Sequence, residues 1–347
     1  MKRRVLFFAT LLAAPALLAQ PTPLHVFGGW AYGRTNGNAY LASTRDGDFD
    51  NAELAVNVAA SPAEPLRLEG QVEIQRARGV QATALDYAFA EWRFSDAARF
   101  RIGRLKHPFG IYTEVYDVGT LRPFIVLPQS VYGPSGTLAK AYNGAGLSGF
   151  RKLGPRWSVA YDVYTGELDL PFADSEKAIA LGSDDGNLDV KNVVGGRAVV
   201  ETPVEGLSFG ASAYAGSIHA AAAHIRHHAL GAQAEYVTDR LSLRGEWTHN
   251  GSGASSEAGA YAEGAWRFTP HWQAAARYDA MREHHDETMN GHHDEAALGI
   301  NYWFTRQFVV KLSGHRVHGT HFTQPDAVTG AAKDRTNLLM FGAQFSF

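Results

Sequence analysis

The chain has 347 residues, of which 45% are hydrophobic, 19% charged and 12% aromatic, with 36 glycines and no cysteine. The lack of cysteine excludes disulfides, cysteine-ligated zinc, iron–sulfur clusters and thiol nucleophiles, and a mean hydropathy of −0.21 excludes a bundle of membrane helices. The formal charge of −3, without any stretch dense in lysine and arginine, gives no support to nucleic-acid binding.

The N-terminus has the pattern of an export signal. Basic residues at 2–4 precede an apolar run from Val5 to Ala19, in which small residues lead up to Gln20. This order is typical of a secretory signal peptide, and the run is shorter than the roughly 20 apolar residues that a membrane-spanning helix needs. We therefore predict that residues 1–19 are a signal peptide and that residues 20–347 form a single domain.

After the predicted signal peptide, apolar and polar residues alternate with a period of two. In segment 66–75, Leu66, Leu68, Val72 and Ile74 share one face of an extended strand, and charged or amide side chains occupy the other. Segments of about ten residues, the length of a tilted membrane-crossing strand, carry this pattern at 24–33, 50–60, 65–75, 83–94, 97–106, 142–151, 156–165, 191–201, 206–217, 226–237, 240–249, 256–268, 271–282, 295–304, 306–317 and 336–347.

The links between these segments alternate between short and long. Tight turns such as 61–64 and 153–155 alternate with mostly longer links, of which 107–141 is the longest. Turns at one end of a sheet and loops at the other are typical of outer-membrane barrels, and an open sheet edge in lipid would cost several kcal/mol for each unpaired group. The sequence therefore predicts an all-β fold, a transmembrane antiparallel β-barrel of about 16 strands around a water-filled lumen.

The last predicted strand carries the most specific motif. Phe341, Ala343, Phe345 and the terminal Phe347 share one face, and in this the chain resembles Gram-negative outer-membrane porins, which present such a strand to the barrel-assembly machinery. Residues 101–110 resemble the strand-to-loop segment of phosphate-selective and related porins. The resemblance implies a location in the outer membrane, contact with outer-membrane lipid, and a homotrimer. Phosphate selectivity is not predicted, because acids outnumber bases on the inferred inner face.

The link 107–141 is the candidate constriction, since the resemblance implies a loop folded into the lumen at this place. It is unusually apolar for a surface loop, so we expect it to pack against the barrel. Its acids, Glu114 and Asp117, are expected to face Arg99 and Arg101 on the wall, because fixed charges offset the dehydration of a passing ion. The predicted pore lining is completed by Lys106, Arg122 and Lys140. Alternatively, the two acids form salt bridges that hold the loop in place.

Fifteen histidines are many for this length, and they cluster in predicted loops. His284, His285, His292 and His293 bracket one loop beside carboxylates, and imidazole with carboxylate is a suitable ligand set for zinc or copper. These four are candidate metal ligands, with ordinary solvated polar residues as the other interpretation. Their spacing matches no recognised structural zinc motif.

The predicted function is passive diffusion of small hydrophilic solutes or ions through a channel, without catalysis and without a cofactor. Neither a G-x-S-x-G nor an H-E-x-x-H motif is present in the sequence. Two alternatives stay open, an outer-membrane barrel enzyme of protease or lipase type and a metal-binding barrel that uses the histidine clusters. A barrel of ten or twelve strands with a filled lumen would favour the enzyme.

Overall fold

The structure is a computed structural model, and it describes residues 23–41, 43–77, 80–134, 137–171, 188–220, 223–284, 291–326 and 329–347. The predicted signal peptide at 1–19 lies outside these residues. None of the helices in the described ranges is both long and apolar enough to span a membrane.

Sixteen strands form one closed antiparallel barrel, as predicted. Strands adjacent in sequence pair with one another, so the topology is a simple meander. Every predicted strand is present, with bounds β1 Leu24–Thr35, β3 Asp48–Ala63, β4 Leu66–Ala77, β5 Val80–Ser95, β6 Ala98–Lys106, β7 Ala141–Lys152, β8 Ser158–Leu170, β9 Leu188–Glu201, β10 Leu207–Ala220, β11 Ala223–Val237, β12 Leu241–Ser252, β13 Ser255–Arg267, β14 Trp272–His284, β15 His292–Trp303, β16 Phe308–His318 and β18 Arg335–Ser346.

The barrel closes between the two ends of the chain. β18 pairs with β1, which places Phe345 opposite Gly28 and Phe341 opposite Tyr32. The backbone N–H of Phe347 donates to the carbonyl of Val26, and the N–H of Val26 donates to the carbonyl of Phe347, both at 2.9 Å. The terminal phenylalanine therefore belongs to the hydrogen-bonded sheet, and neither end strand is left as a free edge.

The two faces of the wall differ in polarity, as the alternation predicts. On β4, Val72 is 44% exposed on the outside, whereas its neighbours Gln71 and Glu73 are buried inside; on β15, Leu298 is 71% exposed. Large aromatic side chains near strand ends also face outward, in positions that suit the headgroup region of a bilayer: Trp157, Trp266, Phe268, Trp272 and Phe304. Trp30 and Trp247 are exposed as well, in the middle of β1 and β12.

Several short elements are not predicted from the sequence. β2 (Ala39–Tyr40) pairs with β17 (Thr323–Gln324) in a small separate sheet. The link between β6 and β7 contains 3-10 turns at Thr113–Val115 and Gly119–Leu121 and one helical turn, α1 (Gln129–Tyr132). Elements of two to four residues are too short to produce a hydrophobic period, so the sequence gives no signal for them.

Val72→Arg tests the outward orientation of β4. Since Val72 lies near the middle of its strand and faces outward, the charged side chain should destabilise the barrel in lipid vesicles by about 2–4 kcal/mol, the range seen at a bilayer midplane. The free energy of unfolding in urea measures the loss. Leu153→Arg, in an exposed turn, is the control and should cost about 0–1 kcal/mol. Equal losses in both variants would contradict the assigned membrane position.

Candidate functional site

The link at 107–141, called here the β6–β7 segment, packs against inward-facing side chains of the barrel. Phe109 and Tyr112 are buried in a cluster that includes Tyr214 of β10 and Tyr261 of β13. Farther along, Phe124 is buried against small residues of the opposite wall: Ala265, Ala275 and Ala297. The apolar composition of the segment is thus explained by burial on the wall rather than by exposure to solvent.

Two glycines of the inner wall make room for the segment. A Cβ at Gly259 would lie 1.8 Å from the carbonyl oxygen of Ser130, and one at Gly231 would lie 2.7 Å from the ring of Phe109. Real side-chain atoms do not approach so closely, so any larger residue at Gly259 would displace the backbone of α1. The segment and the wall therefore fit together as one packed unit.

Carboxylates of the wall anchor the segment through hydrogen bonds. The phenol of Tyr132 donates to Glu246 at 2.6 Å, and that of Tyr112 donates to Glu263 at 2.6 Å. Burial, and next the negative charge of Glu246, raises the pKa of the Tyr132 phenol far above its usual value, so the phenol stays a donor.

A buried lysine holds the segment from the far side of the barrel. The Nζ of Lys311 on β16 donates to the carbonyl oxygens of Gly119 at 2.8 Å and Arg122 at 2.6 Å, and to Oε1 of Gln344 at 2.6 Å. Its side chain is almost wholly buried. One ammonium group, with three donors, therefore pairs with the carbonyl of Arg122 and gives a second partner to that of Gly119, which also accepts the N–H of Arg122 at 3.3 Å.

Three of the predicted pore-lining residues lie together in one ionic cluster. Asp117 contacts Lys106 at 2.7 Å and Lys140 at 3.6 Å. Lys106 also contacts Asp86 at 2.5 Å, and Lys140 contacts Glu73 at 2.9 Å. We call Lys106, Asp117 and Lys140 the central triad.

Asp117 and Lys140 of the central triad are charged around neutral pH. Burial by itself would raise the pKa of the Asp117 carboxyl, but the ammonium groups of Lys106 and Lys140 outweigh it and hold that pKa well below its usual range. At Lys140 burial would lower the pKa of the ammonium, but the nearby phenol of Tyr116 and the Asp117 carboxylate raise it above its usual value. The triad therefore presents fixed charges of both signs.

The other predicted residues have different partners from those expected. Glu114 contacts Arg197 of β9 at 2.6 Å rather than Arg99 or Arg101. Arg101 pairs with Glu91 at 2.6 Å, and Arg99 lies 3.7 Å from Asp96 in the turn before β6. Among the described residues neither arginine forms an ion pair with Glu114 or Asp117, although Arg101 and Glu114 line one cavity. Strand alternation predicts that Arg197 faces inward, but only the docked position of the segment brings Glu114 to it.

Arg122 forms a second contact with the wall. Its Nη2 donates to Glu53 of β3 at 3.1 Å, and the Gln344 side-chain amide donates to the same carboxylate oxygen at 3.2 Å. Its Nη1 donates to the carbonyl oxygen of Tyr116 at 2.8 Å. Arg122 thus connects the segment to β3 at one place and braces the segment internally at another.

Two cavities lie beside the β6–β7 segment. The larger, about 480 Å³, is lined by Glu53, Arg122 and Lys140 among others, and the smaller, about 200 Å³, by Arg101, Lys106 and Glu114. One lysine of the central triad therefore borders each cavity, and both lysines contact Asp117. The triad stands where the two spaces approach each other.

Strand alternation places two of the candidate metal ligands on opposite faces of the wall. His292 and His293 are neighbours on β15, so their side chains point to opposite faces: His292 is half-exposed near Asp294 and His318, and His293 is fully buried near Asp279 and Glu295. His284 is exposed at the end of β14, and His285 lies outside the described residues. The three of these histidines that the structure describes therefore do not converge as one group.

Comparison with protein families agrees with the sequence resemblance. Residues 196–347 match the family model described as phosphate-selective porin O and P. This match covers the last six residues of β9 and all of β10 to β18, and it does not include the 101–110 segment. No curated protein sequence matches the chain significantly.

Solved structures of outer-membrane proteins share the fold. An anion-selective porin from Comamonas acidovorans has a TM-score of 0.63 at 11% identity, with 94% of this chain and 99% of that chain covered. The outer-membrane channel DcaP of Acinetobacter baumannii has a TM-score of 0.60 at 11% identity, with 94% of this chain and 97% of that chain covered. OmpT of Vibrio cholerae in its trimer form has a TM-score of 0.59 at 13% identity, with 94% of this chain and 100% of that chain covered. The chain thus has the fold of Gram-negative outer-membrane porins.

Lys311→Met tests the role of the buried ammonium. The variant keeps most of the side-chain volume but leaves the carbonyls of Gly119 and Arg122 without this donor, so we expect a loss of about 1–3 kcal/mol for each carbonyl that stays buried and unsatisfied. Chemical unfolding in detergent micelles measures it. Lys333→Met, at an exposed position outside the barrel strands, is the matched control and should change stability little. A Lys311 variant as stable as the control would show that the segment does not depend on this lysine.

Proposed function

We propose that this protein is an outer-membrane channel through which small hydrophilic solutes or ions diffuse passively, with the β6–β7 segment as its constriction. The observation that carries the proposal is the position of the central triad. Lys140 borders the larger cavity and Lys106 the smaller, and both contact Asp117. A solute that moved from one cavity to the other would pass these fixed charges.

The charges of the triad suit a selective constriction. A passing ion loses part of its hydration shell in a narrow space, and nearby fixed charges of opposite sign offset the loss. Lysines and a carboxylate side by side give such countercharge for both anions and cations. With Asp86 and Glu73 at its edges, the extended cluster holds two cationic and three acidic side chains, so no single ion type is favoured by sign alone.

The strand number supports a channel over an enzyme. A barrel of about eight strands is filled by side chains, whereas sixteen strands enclose a wide lumen, and this barrel has sixteen. The β6–β7 segment occupies part of that space and leaves cavities beside it. A lumen with cavities beside a docked segment suits the passage of solutes better than it suits hydrolysis at a closed active site.

Two variants that remove charges of opposite sign from the triad test the proposed constriction. Replacing Lys140 with Ala should shift ion selectivity toward cations, and Asp117→Asn should shift it toward anions. A change of about two- to fivefold in the permeability ratio is expected, because a unit charge a few ångströms from the path contributes on the order of 1 kcal/mol in water. Reversal potentials in planar bilayers under a salt gradient measure both effects.

Lys152→Ala is the matched control, since this lysine is exposed at the end of β7, away from the triad. It should leave the reversal potential unchanged. The constriction proposal is refuted if both triad variants behave like the control. The channel proposal as a whole is refuted if the folded wild-type protein inserts into bilayers without conductance steps.

We also propose that the barrel assembles as a homotrimer in outer-membrane lipid. The wall from β10 to β14 presents small outward residues, Ala211, Ala213, Ala258, Ala260, Ala262, Ala274 and Ala276. An outer groove on the same side is lined in part by Ala262, Ala276, Ala296 and Gly314. Small side chains let backbones approach closely in lipid, and the similar OmpT of Vibrio cholerae is described in a trimer form.

The C-terminal strand supports a proposed route of assembly. β18 ends one residue before Phe347, and Phe341 and Phe347 expose their rings on the outside of the barrel. We propose that this aromatic strand is what the barrel-assembly machinery recognises before β18 pairs with β1.

Ala276→Trp tests the small-residue wall as the subunit contact. The indole would fill the outer groove and hold neighbouring barrels apart, so the mass of the purified particle should fall from three copies of the chain to one. Light scattering coupled to size exclusion in detergent measures the mass. Ala90→Trp is the control, because Ala90 pairs with Leu68 and Ile102 on the outer face of another part of the wall. A trimer that survived Ala276→Trp but not Ala90→Trp would place the contact elsewhere.

A further inference from the structure

A group of buried metal-ligand side chains lies inside the barrel on β14 and β15. Asp279 and Glu295 face each other directly across the strand pair. His293 precedes Glu295 by two residues and therefore points to the same inner face. All three side chains are fully buried, and their ligand atoms lie within 4.8 Å of one another.

The imidazole of His293 is the unusual member of this group. Its Nε2 lies 3.3 Å from Oδ1 of Asp279 and 3.7 Å from Oε2 of Glu295. Even so, neither ring nitrogen forms a hydrogen bond with any residue that the structure describes. A buried polar atom without a partner is costly and calls for an explanation such as an ion.

The distances match the spacing of ligands around a small cation. Zinc binds histidine nitrogen and carboxylate oxygen at about 2.0–2.2 Å, and two ligands at a tetrahedral angle are then about 3.3 Å apart. The separation of His293 from Asp279 has this value, and that from Glu295 is slightly longer. On these two distances, a cation bound to His293 would reach Asp279 without side-chain movement and Glu295 with a small movement.

The charges around the group also favour a cation. Arg277 contacts Asp279 at 3.3 Å, Glu295 at 2.9 Å and Glu263 at 3.8 Å. Three carboxylates thus meet one guanidinium and, at Glu295, the imidazole of His315 at 2.7 Å, so the carboxylates outnumber the guanidinium. Burying unpaired charge costs several kcal/mol, and one divalent cation would neutralise the excess.

The arginine does not occupy the ligand positions. Arg277 contacts Oδ2 of Asp279 and Oε1 of Glu295, whereas the oxygens that face His293 are Oδ1 and Oε2. Nδ1 of His315 shares Oε1 of Glu295 with Arg277, at 2.7 Å. Each carboxylate therefore has one oxygen paired with a basic group and the other directed at the imidazole.

Other groups hold the two ligand oxygens in place. The backbone N–H of Ser130, in α1, donates to Oδ1 of Asp279 at 3.2 Å, and the phenol of Tyr40, in β2, donates to Oε2 of Glu295. Carboxylates that bind metals are commonly oriented by such outer hydrogen bonds. These two donors come from the β6–β7 segment and from the small separate sheet.

We propose that Asp279, His293 and Glu295 bind one divalent transition-metal cation of the zinc type. The mixed nitrogen and oxygen ligands suit zinc and its neighbours better than calcium or magnesium, which prefer oxygen alone. The bound ion joins β14 to β15, and its two ligand oxygens also accept hydrogen bonds from Ser130 of the β6–β7 segment and from Tyr40 of β2. It therefore fastens the constriction to the wall near the loop end of the barrel.

Zinc titration of the folded barrel tests this site. The protein is stripped with a chelator in detergent, and calorimetry with Zn²⁺ should show one site per chain. His293→Gln should weaken binding by at least about tenfold, the lower end of what even outer hydrogen-bond partners of metal ligands contribute. His292→Gln is the matched control, because it changes the neighbouring histidine on the opposite face, and it should bind Zn²⁺ like the wild type.

Two further measurements keep the result unambiguous. Circular dichroism and the heat-dependent gel mobility of folded barrels show whether His293→Gln folds, and Asp279→Asn is the second ligand variant if it does not. X-ray absorption of the zinc-loaded wild type should show one nitrogen ligand among oxygens at about 2.0–2.2 Å.

Three outcomes would overturn the proposal. Wild-type protein that binds no Zn²⁺ would show that the three side chains form no site for this cation. Binding that is lost in His292→Gln and kept in His293→Gln would assign the ion to the outward group of His292, Asp294 and His318. A folded His293→Gln variant with unchanged affinity would exclude the histidine as a ligand. None of these tests depends on channel conductance, so they stand apart from the proposed function.

Discussion

The structure depends on one requirement, that every backbone amide of a membrane-crossing strand finds a partner inside the sheet. In hydrocarbon an unpaired amide costs several kcal/mol, and sixteen strands meet the requirement by closing on themselves. Closure at β1 and β18 draws the last residue, Phe347, into the ladder through Val26. The closed wall then fixes which side chains face lipid and which face the interior, and both the central triad and the buried group of Asp279, His293 and Glu295 lie in the interior.

Much of this architecture is predictable from the sequence because strand alternation is a strong signal. An exposed Val72 between a buried Gln71 and Glu73 follows from a period of two, and the closed barrel follows from the regular turns. The inward position of Arg197 is predictable in the same way. The short elements of the β6–β7 segment are not predictable, because one helical turn such as Gln129–Tyr132 leaves no periodic pattern in the sequence.

The partners within the candidate site are less predictable, because they depend on tertiary docking. The sequence shows that Glu114 and Asp117 lie on a long apolar segment, but it does not show where that segment rests. In the structure Glu114 meets Arg197, and Asp117 meets Lys106 and Lys140 at the two ends of its own segment. The same holds for the histidines. Strand alternation predicts that His292 and His293 face opposite sides of the wall, but the contact of His293 with Asp279 follows only from the pairing of β14 with β15.

The order of contacts along the chain has a consequence for biogenesis. The β6–β7 segment comes early, but the residues that hold it, Glu246, Glu263 and Lys311, belong to β12, β13 and β16. The burial sites for the rings of this segment therefore do not exist until strands much later in the chain have joined the sheet. The docked conformation of an early segment thus depends on completion of the cylinder, so folding of the wall and docking of the segment are coupled.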